Sequence, residues 1–197
     1  MFSLTGLNLA VGRVTIRSVM RIRFFLFLTG LVFALNSTQA ALMRPLGIDE
    51  LTRKADLIVR GTVLDKTSLR DVAGRIYTRV NVRVSEVWKG ALPTNAAPNS
   101  LAIVQSGGTV GDVREEVSGE VQYNVGEEFV AFLVFNQRGE PVTIGLAQGK
   151  FHVWRDPQTG EKFAHNPFHG APEPAGNGSQ DKLPVSELKQ QVRQVMP

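Results

Sequence analysis

Arg75-Ile76-Tyr77-Thr78-Arg79-Val80-Asn81-Val82-Arg83-Val84-Ser85 alternates without a break. Ile76, Thr78, Val80, Val82 and Val84 fall on one side, and Arg75, Tyr77, Arg79, Asn81, Arg83 and Ser85 on the other. A period of two marks a long strand with one buried and one wet face. The run ends at Trp88-Lys89-Gly90, where Trp88 keeps the inward register and is expected in the core.

Working outward, Asp71–Gly74 reads as a turn and Asp56–Leu64 as the preceding strand. Gly47–Ala55 reads as a short helix, with Asp49 and Glu50 suited to its first turn. Downstream, a loop over Leu92–Ser100 leads to a strand over Leu101–Gln105 and a glycine-punctuated stretch with Val110–Val117 strand-like. Glu128–Phe135 is apolar on both faces, as a central strand is. Val142–Leu146 pairs back on it, and Phe151–Arg155 and Lys162-Phe163 supply further strands. Asn166–Leu183 is rich in Pro, Gly, Asn and Ser and reads as a flexible loop outside the core. Pro184 then starts a last helix with Val185, Leu188, Val192 and Val195 at helical spacing. Many short strands with helices only at the ends predict a mainly β fold: a small closed OB-like barrel, with a β-sandwich as the alternative.

The amino-terminal stretch predicts location. Met20-Arg21-Ile22-Arg23 is basic, Phe24–Leu35 is almost wholly apolar, and Thr38-Gln39-Ala40 offers small residues before a cut. That order makes Met20–Ala40 a secretory signal peptide and the protein an exported one, periplasmic or extracellular. An uncleaved anchor, and with it a structural envelope role, is the alternative. The expected organisation is a leader and signal over residues 1–40, a β-barrel domain over 41–165, the loop over 166–183 and the helix over 184–197. The formal charge of +4 lies entirely in Arg13, Arg17, Arg21 and Arg23, so the remaining chain is balanced and carries no signature of nucleic-acid binding. With no cysteine, disulfides, a thiol nucleophile and thiolate metal sites are excluded.

The chain resembles a family of uncharacterised exported bacterial proteins. The likeness is carried by Ala55-Asp56-Leu57-Ile58-Val59-Arg60-Gly61-Thr62-Val63, Glu86-Val87-Trp88-Lys89-Gly90, Gly107-Gly108, Val125-Gly126-Glu127-Glu128 and Gly145-Leu146-Ala147-Gln148-Gly149-Lys150-Phe151. It spans most of residues 50–155 and implies no known activity. The pattern also resembles the netrin-like modules to which tissue inhibitors of metalloproteases belong, without the cysteines that staple them. That likeness implies a closed barrel and a protease-inhibitor-like protein partner.

Two surfaces are candidates for binding. Arg75, Tyr77, Arg79 and Arg83 line one strand face, where cations around an aromatic ring suit an anionic or stackable polymer. The plainer reading is a solvated strand whose arginines discourage edge pairing. Gly107, Gly108 and Gly111 allow positive φ and close backbone approach, in a binding loop or simply a bulged hairpin. His152, His165 and His169 are the only histidines, and Pro167 disrupts the helical spacing of the last two. They are weak metal candidates beside their reading as exposed residues, and no cofactor is expected. Lys150, in a tight turn, reads as a solvent lysine. The sequence thus favours an exported non-enzymatic module for a protein or glycan partner. A hydrolase using His152 or His165 with a carboxylate is the alternative.

Overall fold

The computed structural model describes residues 45–94, 97–169 and 183–196. The expected leader and signal peptide, and residues 170–182 of the Pro/Gly tract, lie outside the described residues. A short helix, α1 (Ile48–Lys54), precedes two long strands, β1 (Leu57–Arg70) and β2 (Ile76–Lys89). Then come β3 (Ser100–Ser106), a small hairpin of β4 (Gly108–Val110) and β5 (Val113–Glu115), and β6 (Glu128–Phe135). The chain ends with β7 (Pro141–Thr143), a 3₁₀ turn (Leu146–Gly149), β8 (Lys150–Arg155), β9 (Lys162–His165), β10 (Leu183–Pro184) and α2 (Val185–Val195).

The mainly β expectation holds, with a helix at each end of the described chain, but the sheet does not close. Its antiparallel order is β10-β9-β8-β6-β1-β2-β3, with β7 also on β6. The sheet curls until β3 comes back against β7, yet no ladder joins them. After β3 the chain leaves for the β4–β5 hairpin and returns as an irregular segment. That segment touches the far side instead: Tyr123 and Thr143 share a hydroxyl hydrogen bond at 2.8 Å, and Ala147 N–H donates to Gly119 O at 3.2 Å. Val121 and Tyr123 fill the inner core where a closing strand would have put its side chains.

The sheet buries both faces. Inside the curl lie Val59, Val63, Val80, Val82, Leu101, Ile103 and Phe129. On the other face α1 and α2 cover Ile58, Val130, Phe132, Phe151 and Val153 with Leu51, Leu188 and Val192. Strand β6 feeds both cores, Phe129 and Ala131 one way and Val130 and Phe132 the other, which is why its sequence is apolar throughout. Each large side chain so buried is worth roughly 1.5–3 kcal/mol. Helix α1 adds the i,i+4 pairs Arg53–Asp49 (2.6 Å) and Lys54–Glu50 (2.8 Å).

Three extra residues in the β1–β2 ribbon, Trp88 and Ser85 in β2 and Leu64 in β1, decide what faces where. Ser85 bulges from β2, so Arg60 pairs with Glu86 and Gly61 with Val84. Trp88 is therefore buried against the helices rather than inside the curl. Leu64 bulges from β1, between the pairs Val63↔Val82 and Asp65↔Asn81. Beyond it the inward register moves to Lys66 and Ser68, and Leu64 itself is exposed.

Candidate functional site

Three rows cross the inner face of β1, β2 and β3. Val63, Val82 and Leu101 form the first, Lys66, Val80 and Ile103 the second, and Ser68, Thr78 and Gln105 the third. The face thus runs from wholly apolar to wholly polar within a few residues. The polar row opens into a cleft of about 740 Å³, with Glu120 and Gln122 from the irregular segment on its far wall.

The hydroxyls of the third row hold the glycine loop. Thr78 Oγ1 donates to Gly107 O at 2.7 Å, Ser68 Oγ lies 3.0 Å from Thr78 Oγ1, and Thr109 N–H donates to Ser68 Oγ at 3.2 Å. Gly108, at φ +140°, lies so close that a Cβ there would be 2.4 Å from both hydroxyl oxygens. Its use is close approach. Gly111, by contrast, sits in the open turn of the β4–β5 hairpin with nothing near it.

Gln105 is the unusual member. It is only 7% exposed, and its Oε1 is buried with no hydrogen-bond partner. A buried acceptor left unpaired costs about 1–3 kcal/mol. Nearby, burial pushes the Glu120 carboxyl above its usual range, against the backbone N–H groups of Val121 and Ser106 and the Ser106 hydroxyl. The cleft therefore presents an amide, a partly buried carboxyl and an ammonium from Lys66.

A second cavity, of about 440 Å³, adjoins the first and is bordered by Arg75 and Tyr77. The two sequence-level candidate surfaces are thus partly one place: Arg75 and Tyr77 meet the Gly107-Gly108 loop at the end of β3. Arg79 and Arg83 share the outer face of β2 with Tyr77 but stand exposed further along the strand and line neither cavity. Arg75 is engaged by its own turn, with Nη2 2.8 Å from Asp71 Oδ2.

Lys150 is not the solvent lysine its turn suggests. Its side chain is 9% exposed, with Nζ 2.5 Å from Glu127 Oε1 and 2.5 Å from Gln122 O. The same ammonium lies 5.0 Å from the centre of the Tyr123 ring. Burial pulls the Lys150 ammonium below the usual lysine range despite Glu127, while Lys150 and Asn124 hold the buried Glu127 carboxyl low. His152 Nδ1 reaches the same Glu127 oxygen at 2.8 Å. The other oxygen accepts Asn124 N–H at 2.9 Å, so this carboxylate is committed to fastening the segment that walls the cleft. Among the described residues this is the one histidine–carboxylate pair a hydrolase reading could use, and its carboxylate is already engaged by Lys150 and Asn124. His165 faces His152 across the β8–β9 ladder, and His169 stacks on Phe151 at 4.9 Å with its Nε2 buried and unpaired. Among the described residues no three acidic or histidine side chains group as metal ligands.

Other polar clusters are complete. Arg60 bridges Glu86 (2.7 Å) and Glu128 (2.6 Å), Lys162 holds Glu128 at 2.7 Å, and Lys189 of α2 holds Glu86 at 2.5 Å. The Lys189 hydrogen bond draws the Glu86 carboxyl below its usual range. Asn166 opens the Pro/Gly tract and yet is buried, because its Nδ2 lies 3.1, 2.7 and 2.7 Å from the carbonyls of Ala147, Gln148 and Lys150. Its Oδ1 accepts Phe168 N–H at 2.8 Å.

No protein-family model matches this chain, and a search of curated proteins finds no match. Among the described residues no helix is long and apolar enough to cross a membrane.

Proposed function

We propose that this chain is an exported, non-enzymatic binding module that takes a small neutral polyhydroxylated ligand, a sugar, in the polar cleft. The observation that carries this reading is Gln105: a buried amide oxygen without a partner, at the floor of a cleft large enough for a ligand. Such an atom is costly to keep, and a turn of the Gln105 side chain toward the cleft it lines would let a ligand hydroxyl satisfy it. Amide, carboxyl and ammonium groups together match the paired donors and acceptors of adjacent hydroxyls. We read the packing as sandwich-like, a curled sheet that lays a glycine hairpin and an irregular segment over its open end. Export rests on the signal-like order of Met20–Ala40 and on the likeness to exported bacterial proteins.

Thermal-shift and calorimetric titration of the purified protein with glucose and galactose is the test. Binding by the wild type, lost in a folded Gln105→Met, is the expected result. No binding of either sugar by the wild type overturns the reading. Intact mass from the exported fraction checks the other half: a chain starting near Ala41 is expected, whereas an uncleaved chain favours an anchored envelope protein. The exposed Arg79–Arg83 face supports a second reading, a protein partner docked there. Capture of one exported protein, lost in Arg79→Glu and retained in Gln105→Met, would favour it.

A further inference from the structure

The two cavities at the end of β3 share walls. Gln105, Ser106, Glu115, Val117 and Glu120 line both. Their characters differ. The first is walled mainly by polar side chains, whereas the second adds Val104, Val142 and Leu146 to a polar rim. Tyr77 stands at that second cavity, half-buried and opposite Ser106 in the β2–β3 ladder. One sugar ring needs only the first cavity, so the second is left without a role.

We propose that the ligand is a linear oligosaccharide whose chain runs from the polar cleft past the end of β3 and lays a ring against Tyr77. This rests on the reading of the cleft as a sugar site. A sugar ring has hydroxyls around its rim and an apolar C–H face. The first cavity suits the rim, and an aromatic ring beside valines and a leucine suits the face. Charge agrees with an uncharged chain. The cations Lys66, Arg75, Arg114 and Arg138 are matched by the acids Asp71, Glu115, Glu116 and Glu120 across the two cavities. A polyanion would meet as much repulsion as attraction.

The test is calorimetric titration of wild type, Tyr77→Ala and Gln105→Met with glucose, galactose and their linear oligomers. Wild-type affinity is expected to rise with chain length and then level off. Tyr77→Ala is expected to keep its affinity for single sugars and lose about tenfold for the longer oligomers, the scale of one aromatic contact. Gln105→Met is expected to lose both. Oligomers that bind no tighter than single sugars, or a Tyr77→Ala that weakens both alike, would overturn the extended site and leave the sugar site standing. No binding of any member by the wild type removes the sugar site, and the extended site with it. Should Tyr77→Ala lose its fold, Tyr77→Leu keeps the apolar bulk and removes the ring face, with the same outcomes.

Discussion

At one end of the inner face Val63, Val82 and Leu101 share a row; at the other Ser68, Thr78 and Gln105 do. The same three strands supply both, with the same pairing. The apolar row is at most 2% exposed and does what a core does. The polar row is hardly more exposed at Thr78 (4%) and Gln105 (7%), yet it holds an acceptor with nothing to accept. Asn166 sharpens the contrast, being a still more deeply buried amide in which both ends of the side chain have partners. One amide ties chain segments together. The other costs stability unless something enters the cleft. A fold selected only for stability would put an apolar side chain at Gln105, and the proposal reads the difference between the two ends as the mark of a binding site.

Substitutions can break this comparison. Ile103→Ala, next to the apolar row, should cost about 3 kcal/mol in urea unfolding, as a core truncation does. Asn166→Ala should cost about 2 kcal/mol, because several backbone groups lose their partner at once. Glu120→Gln gives a smaller, pH-dependent effect. A carboxyl whose folded pKa is raised favours the native state at low pH and loses that contribution as pH rises from about 4.5, its ordinary value, through the folded one. The stability of Glu120→Gln relative to wild type should therefore climb across that window and flatten above it. A difference independent of pH would remove Glu120 from the buried wall. Arg79→Glu, on the exposed outer face, should leave both the unfolding midpoint and sugar binding unchanged; a change in sugar binding would move the site to that face.

Strand β2 was legible because one face is wet and the other buried, so the alternation is written in the residues themselves. Helix α2 was legible for the same kind of reason, and β6 for the opposite one: both its faces are buried, so its sequence is apolar throughout. What hid the site was the bulge in β1. A single extra residue at Leu64 reverses which side chains point inward, and nothing in Val63-Leu64-Asp65-Lys66 announces it. Without it the pattern ends β1 at Leu64 and leaves Lys66 and Ser68 as loop residues. Lys150 was missed because its burial depends on Glu127 and Gln122, brought to it by the sheet and not by local sequence. Closure failed for a similar reason. The pattern counts strands, but Val121 and Tyr123 occupy the closing position without forming a ladder.

The most direct measurement is the urea-unfolding free energy of Gln105→Met beside wild type, without sugar. Replacing an unpaired buried amide by an apolar side chain of similar length should stabilise the protein by about 1 kcal/mol, with the m-value unchanged. A loss of stability like that of Asn166→Ala would mean that Gln105 is a structural tie like Asn166, and would contradict the account of the cleft as a site awaiting its ligand.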